Sequence, residues 1–96
     1  MKVKIEYLGH VRTILNTQRQ QQIELEEDST IQDLLTKLAD NYGDPFKKAI
    51  FEPGNPDLKA NFIATVNGHL LNQLNGINTK LQNNDKIAIM PIVSGG

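Results

Sequence analysis

Residues 28–43 read DSTIQDLLTKLADNYG, and this stretch decides the architecture of the chain. Ile31, Leu34, Leu35, Leu38 and Tyr42 fall at i, i+3, i+4, i+7 and i+11, a single stripe along one α-helix. Thr30 supplies an N-cap oxygen. Asp33, three residues on, completes a capping box and puts a carboxylate at the positive helix end. Gly43 stands where a left-handed C-cap is wanted. A helix apolar on one side needs a surface to cover, so its flanks must supply a sheet.

They do. Upstream, KVKIEYLG (residues 2–9) alternates Val3, Ile5 and Tyr7 against Lys2, Lys4 and Glu6, the period of a half-buried strand. GHVRTILNTQRQ (9–20) is polar and reads as a loop with a short turn. QQIELEED (21–28) alternates through Ile23 and Leu25, a second strand pairing back on the first; Gln18–Gln22 reads as solvated hairpin loop and strand start. Downstream, Asp44 as cap and Pro45 at the first helical position open a short helical turn carrying Phe46, Ala49 and Ile50. Pro53, Gly54 and Pro56 impose an irregular loop. FIATVNG (62–68) is a strand closed by the Asn67-Gly68 turn, with HLL returning. A polar turn at Asn83-Asn84-Asp85 leads into the last strand, Ile87–Val93, apolar on both faces and therefore suited to a central place. The order β-β-α-β-β-β predicts an α+β fold: a mixed sheet of four to five strands with one main helix on one face.

The chain has 96 residues, enough for a single domain spanning 1–96 with a C-terminal tail at about 94–96. Ten basic and eleven acidic residues give a net charge of -1 with no basic stripe, which argues against a nucleic-acid footprint. Its apolar runs are strand-sized, which argues against a membrane span, and the N-terminus lacks a signal-peptide apolar region, which points to the cytoplasm. Cysteine is absent, so thiol nucleophiles, thiolate metal sites and persulfides on this chain are excluded. Any sulfur handled here rides on another group.

Candidates for internal chemistry are few. His10 and His69 lack neighbours at ligand spacing, so no metal site is expected. The NG pairs are turns and not a phosphate loop, and Ser94 has no nucleophile-elbow context. Glu26, Glu27 and Asp28 precede the helix and either serve its dipole or face solvent.

What remains is PIVSGG, residues 91–96. Pro91 is expected to end the ladder and throw the tail clear of the sheet. Gly95 and Gly96 lack Cβ atoms and suit a narrow channel. A carboxylate at Gly96 is a weak nucleophile, but a partner can condense it with the α-phosphate of ATP. The acyl-adenylate so formed is open to attack by sulfur or by an amine.

Several segments together resemble the MoaD/ThiS family of β-grasp, ubiquitin-like sulfur carriers. They are YLGHVRTIL (7–15), DSTIQDLLTKL (28–38), ATVNG (64–68) and, most specifically, TKLQNNDKIAIMPIVSGG (79–96). Within the family the chain is most similar to the small subunit of molybdopterin synthase; thiamine-pathway carriers usually lack the proline-containing run before the glycines. Two features depart from the pattern: the QNND turn lacks a glycine, and the loop from Asp44 to Lys59 is long. The resemblance implies a last strand lying parallel to the first. It implies an E1-like (MoeB-like) adenylating enzyme that uses ATP on Gly96, a sulfur donor that forms a thiocarboxylate, and a large (MoaE-like) synthase subunit that receives the tail. No cofactor is bound by the chain itself, and no acid or base of its own is required. Leu70 and Met90 then fall at partner-contacting positions, with Pro91, Ile92, Val93 and Ser94 leading into the catalytic Gly95–Gly96 end. The alternative for Leu70 and Met90 is a second layer of core beneath the long loop. Other uses of the same tail are conjugation to target lysines as a protein modifier and sulfur transfer for thiamine or tRNA. A β-grasp interaction module with an inert tail is the remaining alternative.

Overall fold

The computed structural model describes residues 1–55 and 57–92. Val93, Ser94, Gly95 and Gly96 lie outside the described residues. The strands are β1 (Lys2–Tyr7), β2 (Gln20–Glu24), β3 (Phe62–Val66), β4 (His69–Leu70) and β5 (Lys86–Pro91). The helices are α1 (Val11–Leu15), α2 (Ile31–Tyr42) and α3 (Asp44–Ala49), with two short 3-10 turns at Leu71–Gln73 and Gly76–Asn78. The five strands lie in the order β2-β1-β5-β3-β4. β5 is central, parallel to β1 and antiparallel to β3, as the two-sided apolar pattern and the resemblance require.

Alternation along each strand divides the sheet into two faces. Val3, Ile5 and Tyr7 of β1, Phe62, Ala64 and Val66 of β3, and Ile87 and Ile89 of β5 are buried in one cluster with Ile31, Leu34, Leu35, Leu38 and Ala39 of α2. The helical stripe therefore covers one face of the sheet, and Phe46, Ile50 and Phe51 close the end of that core.

α2 begins as its sequence directs. The Asp33 N–H donates to Thr30 Oγ1 at 3.3 Å, and the Thr30 N–H donates to Asp33 Oδ2 at 2.9 Å. Thr30→Ala should therefore cost about 1 kcal/mol, and a thermal melt should show a Tm lower by about 5 °C. An unchanged Tm would mean that solvent serves those amides equally well. At the other end Gly43 has φ 72 but ψ -143, which corrects the expected left-handed cap. Its N–H still reaches the Ala39 carbonyl at 2.8 Å. Gly43 itself then caps α3, so Asp44 is the first helical residue and Pro45 follows it. Joining two helices through one residue demands a sharp bend that falls in backbone space favouring glycine.

Segment 9–20 also departs from the loop reading, because Val11–Leu15 is helical. Val11 and Leu15 are buried and Ile14 is partly buried, so an i, i+3, i+4 triplet ties this turn to the core. Asn16 at φ 50 ends it. The glutamine run is not all solvated: Gln21 Oε1 accepts from the Tyr7 hydroxyl at 2.9 Å and the Tyr42 hydroxyl at 2.7 Å. Burial pushes the Tyr7 hydroxyl well above the ordinary tyrosine range, and the neighbouring Tyr42 hydroxyl adds to it. The two rings meet edge to face at 6.2 Å, joining β1 to the end of α2.

Candidate functional site

The uncovered face of the sheet has two unlike halves. Paired residues share a face, so the registers Glu6↔Ala88, Thr65↔Ala88, Ile63↔Met90 and Thr65↔Leu70 place these side chains together. Over β3, β4 and β5 the face is apolar: Ile63 and Met90 are half-buried, and Leu70 is 38% exposed. Ile92, next in alternation after Met90, is 49% exposed. Over β1 and β2 it is polar, with Lys4, Glu6, Gln20 and Gln22, and Lys86 of β5 adjoins them. Here the Gln20 side-chain amide donates to Glu6 at 3.0 Å and holds its carboxyl below the ordinary value. Lys86 at 3.9 Å and Arg19 at 3.8 Å add to the effect. The result is an exposed apolar patch on one half of the sheet face, with Lys4 and Lys86 on the polar half beside it.

β5 carries the chain along the middle of this face. Its pairing with β1 runs to Tyr7↔Ile89, followed by a bond from the Leu8 N–H to the Ile89 carbonyl at 3.0 Å. On the other side the pairing continues through Phe62↔Pro91, and the Ile92 N–H donates to the Asn61 carbonyl at 2.8 Å. Pro91 therefore does not end the ladder as expected. Only alternate residues of an antiparallel strand bond to a given neighbour, and the missing N–H of Pro91 faces the side where β1 has already turned away. Gly9 makes that turn at φ 60, and a Cβ there would stand 2.9 Å from Pro91 Cγ.

Neither histidine gathers a site. His10 is exposed and lies 5.7 Å from the Phe62 ring, and His69 is exposed in β4. Among the described residues no three His, Asp or Glu side chains are grouped to hold a metal. None of the described helices is long and apolar enough to cross a membrane. The expected contact residues Leu70, Met90 and Ile92 do share one face, whereas Val93, Ser94, Gly95 and Gly96 are outside the described residues. An extension of this face was missed from the sequence: a cleft of about 580 Å³ in which Ile63, Leu70 and Ile92 are joined by residues 57–60 and the turns after β4. Its walls are distant in sequence, and no local pattern announces them.

Comparison with known proteins agrees with this geometry. Among curated proteins no relative matches the sequence. Solved structures do. The small archaeal modifier protein 1 of Methanosarcina acetivorans is 25% identical, with a TM-score of 0.77 over 99% of this chain and 96% of that one. A Pyrococcus furiosus protein described as a candidate molybdopterin converting factor, subunit 1, is 23% identical, with a TM-score of 0.77 over 96% and 98%. The Amycolatopsis orientalis BexX/CysO complex contains a chain with a TM-score of 0.73 at 17% identity, over 98% and 99%. The last two likenesses concern the fold. The sequence model of the ThiS family matches residues 5–96. With the helix-covered mixed sheet and the central parallel pair β1–β5, that match shows that the chain belongs to the ThiS family, ubiquitin-like sulfur carriers and modifiers of β-grasp fold.

Proposed function

We propose that this chain is a sulfur carrier of molybdopterin biosynthesis whose working group is the Gly96 carboxylate. One observation carries the reading. The central strand β5 ends at Pro91 beside the apolar patch of Ile63, Leu70 and Met90, and four residues after Ile92 the sequence reaches Gly96. A partner that grips the patch thereby holds the start of the tail at a fixed distance from its own active site. In the first step the carboxylate oxygen attacks the α-phosphate of ATP on an E1-like enzyme and pyrophosphate leaves. Sulfur from a donor then attacks the acyl carbon, and AMP departs with the shared oxygen. The thiocarboxylate is ionised at neutral pH and transfers sulfur to a pterin precursor held by a large synthase subunit. The lack of cysteine in this chain fits that arrangement.

The test is an intact-mass measurement after incubation with an activating enzyme of the source organism, ATP and sulfide. One oxygen should be exchanged for sulfur, and fragmentation should put the change on Gly96. An unmodified chain under conditions that adenylate another carrier would overturn the reading. Conjugation to lysines is the second reading, favoured by the 25% identity with an archaeal modifier protein over nearly the whole chain. High-mass conjugates that vanish without Gly96 would support it. Sulfur transfer for thiamine or tRNA shares the same activation step and differs in which product a deletion strain lacks.

Leu70→Glu and Met90→Glu should each weaken binding to the activating enzyme about 10-fold to 100-fold, because exposed apolar anchors dominate interfaces. Leu70→Glu should leave the Tm of the free domain nearly unchanged, given its exposure. A large fall in Tm would show instead that the side chain belongs to the core.

A further inference from the structure

The two Asn-Gly pairs, Asn67-Gly68 and Asn75-Gly76, share a chemistry that the fold treats differently. Where glycine follows asparagine, no Cβ shields the next backbone nitrogen. That nitrogen can attack the side-chain amide carbon and expel ammonia, which makes asparagine a thermolabile residue. Both asparagines are exposed, so exposure does not separate them.

Hydrogen bonding does. At Asn67 the side chain is held at both ends: Nδ2 donates to Asp85 Oδ1 at 2.9 Å, and Oδ1 accepts from the Lys86 N–H at 3.0 Å. Its own N–H donates to the Lys86 carbonyl at 2.8 Å, and the adjoining pair Val66↔His69 closes the hairpin. Cyclisation there must pull the amide away from β5 and distort a paired turn. At Asn75, among the described residues, only the main chain is engaged. Its N–H donates to Thr79 Oγ1 at 3.0 Å, and its carbonyl accepts from the Asn78 N–H at 3.1 Å. It stands between two 3-10 turns of three residues each, a geometry that holds a segment weakly. The Asn75 amide can therefore turn toward the Gly76 nitrogen without first breaking a side-chain bond.

We propose that Asn75 is a site of spontaneous deamidation, and that the bonds from Asn67 to Asp85 and Lys86 protect the other pair. The Gly76 nitrogen loses its proton to solvent and bonds to Asn75 Cγ. The Cγ–Nδ2 bond breaks, and Nδ2 takes up a proton to leave as ammonia. Water then opens the succinimide ring at either carbonyl. One opening gives aspartate. The other gives isoaspartate, in which the main chain runs through the former side chain and the α-carboxylate is free. That carboxylate is the group methylated by carboxyl methyltransferases that use S-adenosylmethionine, the enzyme class this site would engage. Either product adds a negative charge between Leu74, which is 38% exposed, and Gly76 on the cleft wall. The reaction makes no use of Gly96 and does not depend on the carrier reading.

The experiment incubates the folded full chain in mildly alkaline buffer and locates each exchange of amide for acid by peptide fragmentation. Asn75 should convert first, with Asn67 slower by about tenfold or more, the share of its two side-chain hydrogen bonds. Labelling by an isoaspartyl methyltransferase should rise in parallel and map to residue 75. Asn75→Gln should remove the fast conversion. Asp85→Ala releases one end of the Asn67 amide and should quicken conversion there about fivefold, leaving Asn75 as it was. In urea the two rates should converge, because the protection belongs to the fold; this comparison decides even where Asp85→Ala fails to fold. Equal rates in the folded chain overturn the proposal, as does Asn67 converting first. So does a folded chain that keeps Asn75 intact while the chain in urea converts it.

Discussion

Deleting Gly96, or replacing it with Val, should reduce ATP-dependent activation of the chain by about 100-fold or more. The deletion draws the terminal carboxylate back by about 3.5 Å, the span of one extended residue. A misplacement of about 1 Å can already cost 100-fold when two reacting groups must be held in line. Valine keeps the length but adds a branched Cβ in a channel suited to bare backbone. Stability should be nearly unaffected, because glycine has no side chain to bury and chain ends tolerate change. Pyrophosphate release and the thermal melt should be measured on the same preparations. Normal pyrophosphate release from either variant would show that the tail is not the reacting group, and the carrier and modifier readings would both fail. Lost activation with a collapsed melt would place the defect in folding.

Leu34→Asp and Leu38→Asp should abolish folding. Both side chains are fully buried between α2 and the sheet. A carboxylate there would lose its hydration with no cation to meet it, a penalty of several kcal/mol against a total stability of about 5–15 kcal/mol. Leu34→Ala should lose about 3 kcal/mol and still fold, since it leaves a cavity rather than a charge. Gln32→Asp, on the exposed side of the same helix, should stay within about 0.5 kcal/mol of the parent. Far-UV circular dichroism through a thermal scan separates these outcomes. A Leu34→Asp variant that melts like the parent would mean that the helix buries a different face.

The bounds of α2, its capping box and the central place of β5 were legible from residues 28–43 and 87–93. Each depends on spacing within one segment, and the physics involved is local: a stripe, a cap, a strand apolar on both sides. The helical turn at Val11–Leu15 was written there as well, in three apolar residues outweighed by polar neighbours. The role of Gln21 was not legible, because its two tyrosine partners lie 14 residues upstream and 21 downstream.

The ending of the chain shows the same division. Composition and order alone determined that the chain has no thiol, that it carries an apolar last strand and that Gly-Gly follows that strand. Only the tertiary structure decided what surrounds the exit of that strand. Pairing brings Ile63, Leu70 and Met90 from three strands into one patch, and Pro91 stays in the ladder because its missing N–H faces the side that β1 has left.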